Sequence, residues 1–277
     1  MEWALSIFLI SVIQGITEFL PISSSGHLVL LPHVTGLADQ GQIMDVAAHI
    51  GTFLAVAFYL RKEILQMLTA LPSLFSSARH ATHHLILILI LASIPAICAG
   101  LVVEILSPDF LRFALTVAVA NLVFAGWLWW ADKKPVRYHL SDEEQTGWQQ
   151  LKISDAVWIG IAQCCALIPG ASRSGVTMTM ARQLGYDRIT SARFSLLLSL
   201  PIIAGAGAVK GTGLVNASAG ADLSGLLAVI ILSFIFALIA IRWMMGWLKT
   251  ASFQIFIYYR FALGLVLLAL IATGIIA

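Results

Sequence analysis

Residues 14–27 read QGITEFLPISSSGH, and residues 169–175 read PGASRSG. Both stretches place serines, glycines and ionisable side chains inside apolar sequence, in a chain that is 60% hydrophobic. Polar groups in such surroundings cost free energy unless they bind one another or a ligand. We therefore expect the helices to break at these two stretches, and we expect function there.

Composition places the chain among integral membrane proteins. Its 277 residues are only 11% charged, the mean hydropathy is +0.93, and several apolar runs approach the length of a bilayer crossing. The longest polar interval, from Asp132 to Lys152, is too short for a soluble domain. We predict one all-α polytopic membrane domain over residues 1–277. No nucleic-acid partner is expected, because membrane topology explains where the basic residues lie.

The apolar runs predict six transmembrane helices, at about 43–60, 84–104, 112–131, 190–209, 225–241 and 256–276. Residues 1–35 and 153–185 are predicted to be re-entrant helix-break-helix segments, because irregular backbone at membrane depth must be buried in protein or line a cavity. Lys and Arg gather in alternate loops, including a linker at about 132–152 and the flank of the last span, where we place Arg260. The positive-inside rule puts these loops in the cytoplasm and both termini outside.

This topology gives the two halves, at about 1–131 and 153–277, opposite orientations. The sequence supports a duplication, since an offset of 149 residues, the separation of Gln14 from Gln163, superimposes several polar and glycine positions. The matched pairs are Ser23 with Ser172, Ser25 with Ser174, and Gly26 with Gly175. Inverted-topology repeats with broken helices commonly place a site near the midplane. We predict that Ser24, His27 and Arg173 lie close in space.

The first stretch carries a carboxylate at membrane depth. Gln14 and Glu18 are spaced i,i+4 and share one helical face. A carboxylate inside a membrane segment marks a functional site by default. Glu18 is a candidate ligand for Mg²⁺ or Ca²⁺, or a partner that orients His27; the structural alternative is a pairing with a buried arginine.

The serines and the histidine of this stretch suggest nucleophilic chemistry. Ser24 and His27 are three residues apart and meet if a helix begins here. A serine becomes a nucleophile when a base takes its proton, and histidine titrates in the useful range. The alternative is that the serines cap the helix and that His27 is a core residue.

The second stretch carries a cation that needs an anion. Arg173 lies about 20 residues after Lys152, too deep to reach the membrane surface easily, and its guanidinium is always charged. Phosphate suits the surrounding glycines and serines, which allow close backbone approach at a helix start. Thr177 offers a further hydroxyl. The two stretches together indicate phosphate-ester or diphosphate chemistry on a lipid, and the structural alternative is that Arg173 only pairs with Glu18.

Other polar residues give weaker signals. Asp45 and His49 share a helical face, and either extend the network or face water. His80, His83 and His84 resemble a metal cluster, but we predict a solvated cytoplasmic loop for them.

The two stretches carry a family resemblance that extends over essentially the whole chain. The sequence resembles the undecaprenyl-diphosphate phosphatases of the bacitracin-resistance type. The first family motif, Glu or Gln followed by three residues and Glu, is met by Gln14 and Glu18 and continues through residues 19–27. The second, Pro-Gly-x-Ser-Arg-Ser followed by Thr, is met by residues 169–174 and Thr177.

The resemblance implies an inner-membrane enzyme that recycles the lipid carrier of peptidoglycan synthesis, confers bacitracin resistance, is reached from the periplasmic side and needs Mg²⁺ or Ca²⁺. In our mechanism Ser24 attacks the terminal phosphorus, with direct attack by His27 or by water as the alternatives. The candidate catalytic residues are Glu18, Ser24, His27 and Arg173. The candidate substrate-binding residues are Gln14, Ser23, Ser25, Ser172, Ser174 and Thr177. Metal binding rests on Glu18, with Asp45 as a further candidate.

Three other interpretations are weighed. A secondary transporter or lipid flippase fits broken helices and inverted repeats, but does not require His27 beside serines. The type-2 phosphatidic acid phosphatases share Ser-Gly-His, yet Thr179 stands where their second histidine belongs. A purely structural protein leaves Glu18 and Arg173 with no role beyond pairing. The sequence leaves a homodimer open.

Overall fold

The computed structural model describes residues 2–36, 42–75, 81–106, 113–139, 150–217 and 223–276, with Pro108, Leu111 and Trp148. These ranges are helical apart from short loops and two breaks. The helices are α1 (Glu2–Thr17), α2 (Ser24–Thr35), α3 (Gln42–Tyr59), α4 (Arg61–Ala70), α5 (Ala81–Leu106), α6 (Ala114–Asp132), α7 (Ile153–Gln163), α8 (Arg173–Leu184), α9 (Arg188–Ala217), α10 (Leu223–Trp247) and α11 (Gln254–Ala272). Short 3₁₀ helices cover Leu71–Phe75 and Cys164–Leu167.

The predicted membrane class is confirmed. Within the described ranges, five helices are long and apolar enough to cross a bilayer: Thr82–Leu106, Ala114–Asp132, Arg188–Gly207, Leu223–Trp247 and Gln254–Ala272. A sixth crossing is present if Ile43–Tyr59 and Arg61–Ser73, which are bent by 79° against each other, count as one span. Each candidate overlaps one of the six spans predicted from the sequence.

Both predicted helix breaks are present. α1 ends at Thr17 and α2 begins at Ser24, while the 3₁₀ turn after α7 ends at Leu167 and α8 begins at Arg173. Each break contains a serine with a left-handed backbone, Ser23 with φ of 71° and Ser172 with φ of 68°. Such a conformation is strained for a residue with a Cβ and persists only where the surroundings hold it. The surrounding residues therefore hold both breaks in a defined conformation.

The helices that flank the two breaks pack against longer helices. α1 packs on α10, and α7 packs on α5, while α6 lies against α11 and α8 lies between α6 and α9. The backbones approach closely where glycine replaces a side chain, since a Cβ on Gly160 of α7 would lie 2.4 Å from the Ala92 carbonyl oxygen of α5. Both broken pairs thus pack against longer helices.

A buried ionic cluster joins the helix ends on one side of the protein. The Asp132 carboxylate accepts hydrogen bonds from Arg182, from Arg188 and from the Phe253 backbone N–H. Nearby, the Tyr186 hydroxyl donates to Asp155 at 2.8 Å. Burial and this carboxylate raise the pKa of Tyr186, so it remains a donor. The first turn of α7 and the loop that follows α8 therefore lie together.

The predicted linker at about 132–152 is described only at its two ends, and residues 140–147 lie outside the described part of the chain. At its start, Lys133 lies over the Trp129 ring at 3.3 Å and Lys134 lies over the Trp130 ring at 4.3 Å. Cations over aromatic faces are typical of a helix end at a membrane interface.

The prediction of a solvated loop at residues 80–84 is wrong for two of its three histidines. His83 and His84 lie in the first turn of α5, and the His84 Nε2 donates to the Leu151 carbonyl at 2.7 Å. His83 Nε2 lies 2.9 Å from the Ser73 hydroxyl. His80 is outside the described residues. These histidines connect helix ends.

Candidate active site

The two breaks enclose a polar cavity of about 420 Å³. Its lining residues come from both halves of the chain and include most of the predicted site. They are Thr17, Glu18, Ser23, Ser24, Ser25, His49, Ala166, Leu167, Ile168, Pro169, Ser172 and Arg173. The Ser24 hydroxyl has no protein partner within the described residues, so it is open to a ligand in this cavity.

Reciprocal serine contacts hold the two breaks together. The Ser25 hydroxyl accepts from the Gly170 backbone N–H at 2.8 Å, and the Ser174 hydroxyl donates to the Leu20 carbonyl at 2.9 Å. Within each break the hydroxyls also pair at 3.1 Å, Ser23 with Ser25 and Ser172 with Ser174. Each break therefore satisfies backbone groups that the other leaves open.

A buried ion pair spans the cavity wall. An Arg173 guanidinium nitrogen, Nη2, lies 3.3 Å from Glu18 Oε1, and the two side chains are only 12% and 10% exposed. Gln14 donates to the other Glu18 oxygen at 2.8 Å, and Arg173 Nη1 donates to the Ser195 carbonyl at 3.4 Å. Buried charges need such partners, because desolvation is expensive. The structural pairing that the sequence left open is present, and it lies in the cavity lining.

His49 lines the cavity, although its sequence signal was weaker than that of His27. Its Nδ1 donates to the Asp45 carbonyl at 2.8 Å, and its Nε2 faces Gln14 and Glu18. The Gln14 amide, which donates to Glu18, lies 3.2 Å from this Nε2, and Glu18 Oε2 lies 3.8 Å from it. His49 thus belongs to the Glu18 network. Among the described residues, Asp45 does not line the cavity.

His27 lies outside the cavity lining. Its Nδ1 donates to the Ser23 carbonyl at 2.7 Å, and its Nε2 accepts from the Tyr259 hydroxyl of α11 at 2.5 Å. The two rings stack with centroids 5.5 Å apart. The predicted contact between Glu18 and His27 does not form among the described residues, because both imidazole nitrogens have other partners. Ser24 and Arg173 share the cavity lining as predicted, and His27 is outside it.

Ser174 and Thr177 are brought to the site but not into the cavity. Each is 1% exposed. The Thr177 hydroxyl donates to the Arg173 carbonyl at 2.9 Å and lies 2.7 Å from the Ser195 hydroxyl. In this structure Ser174 and Thr177 stabilise the first turn of α8 through hydrogen bonds on the side away from the cavity.

Arg260 is a site residue that sequence reasoning missed. It was placed on the cytoplasmic flank of the last span, and that placement is wrong, since Arg260 lies within α11 and is fully buried. Its Nη2 donates to the carbonyls of Gly170 and Ala171 at 3.0 and 2.9 Å, and its Nε donates to Asn121 at 2.9 Å. Arg260 therefore fixes the backbone of the second break.

Gly170 makes a close approach to α6 that no other residue fits. Its φ is +96°, and a Cβ there would lie 2.2 Å from the Val117 carbonyl oxygen. Overpacking and the left-handed backbone together predict that Gly170→Ala lowers the free energy of unfolding by about 3 kcal/mol. The apparent melting temperature in detergent would measure this loss.

The matched control is Gly36→Ala. Gly36 also has a left-handed φ, of +68°, but a Cβ there meets nothing within 4 Å. Its expected loss is only about 1 kcal/mol, from the backbone alone. Equal melting temperatures for the two variants would contradict the close approach at Gly170.

Two helices begin at the cavity lining, and a serine before each of them caps one first-turn N–H, because Gly26 donates to the Ser23 hydroxyl at 3.4 Å and Gly175 donates to the Ser172 hydroxyl at 3.2 Å. α2 begins at Ser24 and α8 at Arg173, and each helix has 12 residues. The unsatisfied N–H groups and the dipole of a helix N-terminus attract anions, phosphate in particular. Two such termini beside Arg173 form a site suited to a group with two phosphates.

The carboxylate available to a cation is Glu18. Within the described residues, no three His, Cys, Asp or Glu side chains form a metal-binding group. Mg²⁺ commonly takes one or two carboxylates and completes its shell with water and substrate phosphate oxygens. Glu18 in the cavity lining offers one such carboxylate.

Comparison with known proteins gives a consistent result. A sequence profile described as bacitracin resistance protein BacA matches residues 7–266. A Ruegeria pomeroyi protein named undecaprenyl-diphosphatase is 42% identical over 95% of this chain and 97% of its own. An Aliivibrio salmonicida protein of the same name is 41% identical over 96% of this chain and 97% of its own.

Proposed function

Because the chain belongs to the family of bacitracin resistance protein BacA, we propose that it hydrolyses undecaprenyl diphosphate to undecaprenyl phosphate and inorganic phosphate. It is then a polyprenyl-diphosphate phosphatase that returns the lipid carrier to peptidoglycan synthesis and confers resistance to bacitracin. The Ruegeria pomeroyi and Aliivibrio salmonicida relatives carry the name of this activity.

The observation that carries the proposal is the cavity between the two breaks. Arg173 and the N-termini of α2 and α8 surround it, so both phosphates of a diphosphate find donors. Positioning and electrostatic stabilisation are the main requirements of phosphoryl transfer. The residues that line the cavity can supply both.

Ser24 is the proposed nucleophile. Its hydroxyl oxygen would bond to the terminal phosphorus while the bridging P–O bond breaks, releasing undecaprenyl phosphate; water would then cleave the phosphoserine. His27 is the base that the sequence suggests, and to accept the proton its Nε2 must release the Tyr259 hydroxyl. Direct attack by His27 or by water is the alternative.

Glu18 would hold Mg²⁺ or Ca²⁺ beside the phosphates, where the cation neutralises their charge. Gln14 orients Glu18 through its amide, and Arg173 shares the carboxylate. Ser23, Ser25 and Ser172 shape the two helix starts that face the substrate.

We further propose the inverted repeat and the two re-entrant segments. The packing of α1 on α10 is matched by that of α7 on α5, as expected if the halves correspond. The paired serine contacts of the two breaks agree with this, and the bond from Tyr186 to Asp155 brings the outer ends of α7 and α8 together. In this arrangement the protein lies in the bacterial inner membrane, its termini are outside and its cavity opens to the periplasm.

The test is phosphate release from undecaprenyl diphosphate by purified protein in detergent, after EDTA treatment and after adding back Mg²⁺ or Ca²⁺. We expect EDTA to reduce release about a hundredfold or more and either cation to restore it, because the diphosphate charge is otherwise uncompensated. Detergent removes compartments, so transport alone gives no product. Absence of release under every condition from folded protein would favour a transporter or flippase.

A further inference from the structure

A second cavity, of about 460 Å³, lies along the outer face of α6. It is apolar apart from one hydroxyl, and its lining residues are Leu115, Thr116, Val119, Ala120, Val123, Phe124 and Ile168. We call it the α6 groove. Leu115, Val119 and Val123 are 52%, 45% and 60% exposed, so the groove opens on the surface that faces the bilayer in a membrane-spanning helix.

The α6 groove is next to the polar cavity. Ile168 lines both, and it precedes Pro169 in the second break. The break is also pressed against α6, because the backbone of Gly170 abuts Val117. A molecule with a phosphate group in the polar cavity and an apolar chain attached to it therefore passes Ile168 to reach the groove.

The other apolar wall of the polar cavity offers less room. Leu167 lies next to Ile168 in the cavity lining, but its side chain faces α5, where its Cδ2 is 3.7 Å from the Cβ position of Gly100. That separation is an ordinary van der Waals contact. Open volume lies on the α6 side of Ile168.

We propose that the α6 groove binds the first isoprene units of the substrate's polyprenyl chain. The inference rests on the proposed function, since the occupant is the apolar part of the molecule whose diphosphate lies between the breaks. From Leu115 to Phe124 the helix rises about 14 Å, enough for several isoprene units and far less than an undecaprenyl chain. The remainder of the chain stays among the lipids.

The test compares two soluble substrates, farnesyl diphosphate with three isoprene units and dimethylallyl diphosphate with one. Wild-type protein is expected to favour farnesyl diphosphate in kcat/KM. Val119→Trp fills the groove and is expected to reduce that preference about fivefold, as for the loss of one or two buried CH₂ groups. Ala120→Leu fills the groove from its floor and is expected to act in the same direction.

The matched control is Ile235→Trp on α10, because Ile235 is 43% exposed and does not line the groove. It is expected to keep the wild-type preference. An unchanged preference in both groove variants would overturn the proposal, as would an equal loss in Ile235→Trp or a change of oligomeric state that lowers kcat/KM for both substrates alike. Failure of wild-type protein to release phosphate from undecaprenyl diphosphate, assayed in parallel, would instead contradict the proposed function.

Discussion

Replacing Arg173 with lysine is expected to lower kcat by about a hundredfold or more, the effect of removing one electrostatic donor from a preorganised site. Lysine keeps the charge but loses the planar fork with which Arg173 contacts Glu18 and Ser195 at once. A point charge holds neither the carboxylate nor a phosphate in one orientation. Phosphate release at saturating substrate would measure the change.

Arg193→Lys is the matched control. Arg193 is also a partly buried arginine paired with a glutamate, Glu63, but it lies on α9 outside the cavity lining. It should retain wild-type kcat, and both variants should unfold near the wild-type temperature. Near-normal turnover of Arg173→Lys would contradict a role for the planar fork of Arg173 in orienting the carboxylate and a phosphate.

Ser24→Ala is expected to abolish turnover, to at most about a thousandth of the wild-type rate, as when one member of a catalytic unit is removed. The prediction follows from position, because Ser24 lines the cavity at the start of α2 and its hydroxyl has no partner in the described part of the protein. Alanine changes little else there. The measurement is phosphate release together with acid quenching of enzyme mixed with substrate labelled on its terminal phosphate.

Acid-stable label should appear on wild-type protein and be absent from Ser24→Ala. The control is Ser93→Ala on α5, a buried serine whose hydroxyl donates to the Leu89 carbonyl away from the cavity. It should keep both activity and label. In a parallel sample quenched with alkali, which preserves phosphohistidine, label on His27 would overturn the assignment of Ser24, and undiminished turnover of Ser24→Ala would leave water as the attacking group.

The helix breaks were predictable because their causes are local. Pro21 and Pro169 interrupt helical hydrogen bonding, and glycine and serine favour turns and helix caps. The pairing of Glu18 with Arg173 was predictable for a similar reason, since a buried charge in apolar sequence requires an opposite charge.

Side-chain direction was not predictable in the same way. Ser172, Ser174 and Thr177 occur in one motif, yet Ser172 lines the cavity while Ser174 and Thr177 face the interior behind it. The strained φ of Ser172 turns the chain between them, and no spacing rule reveals it. The contact of His27 with Tyr259 was not predictable, because the two residues are distant in sequence.

Arg260 shows how a tertiary contact overrides a topology rule. Its neighbours in sequence suggested a charge at a membrane flank, but its guanidinium binds carbonyls that the second break leaves without helical partners. The available signal was its position, four residues inside the apolar run at about 256–276, where a basic residue needs a buried partner. The same reasoning that identified Arg173 would have found it.

The most direct test of the account compares wild-type protein with Ser24→Ala and Arg173→Ala, one substitution in each break, supplied with undecaprenyl diphosphate and Mg²⁺ in detergent. The products would be identified by mass spectrometry. Wild-type protein is expected to give equal amounts of undecaprenyl phosphate and inorganic phosphate. The two variants are expected to be folded and to give neither product. Hydrolysis that survives loss of either side chain would contradict a single site built from both breaks.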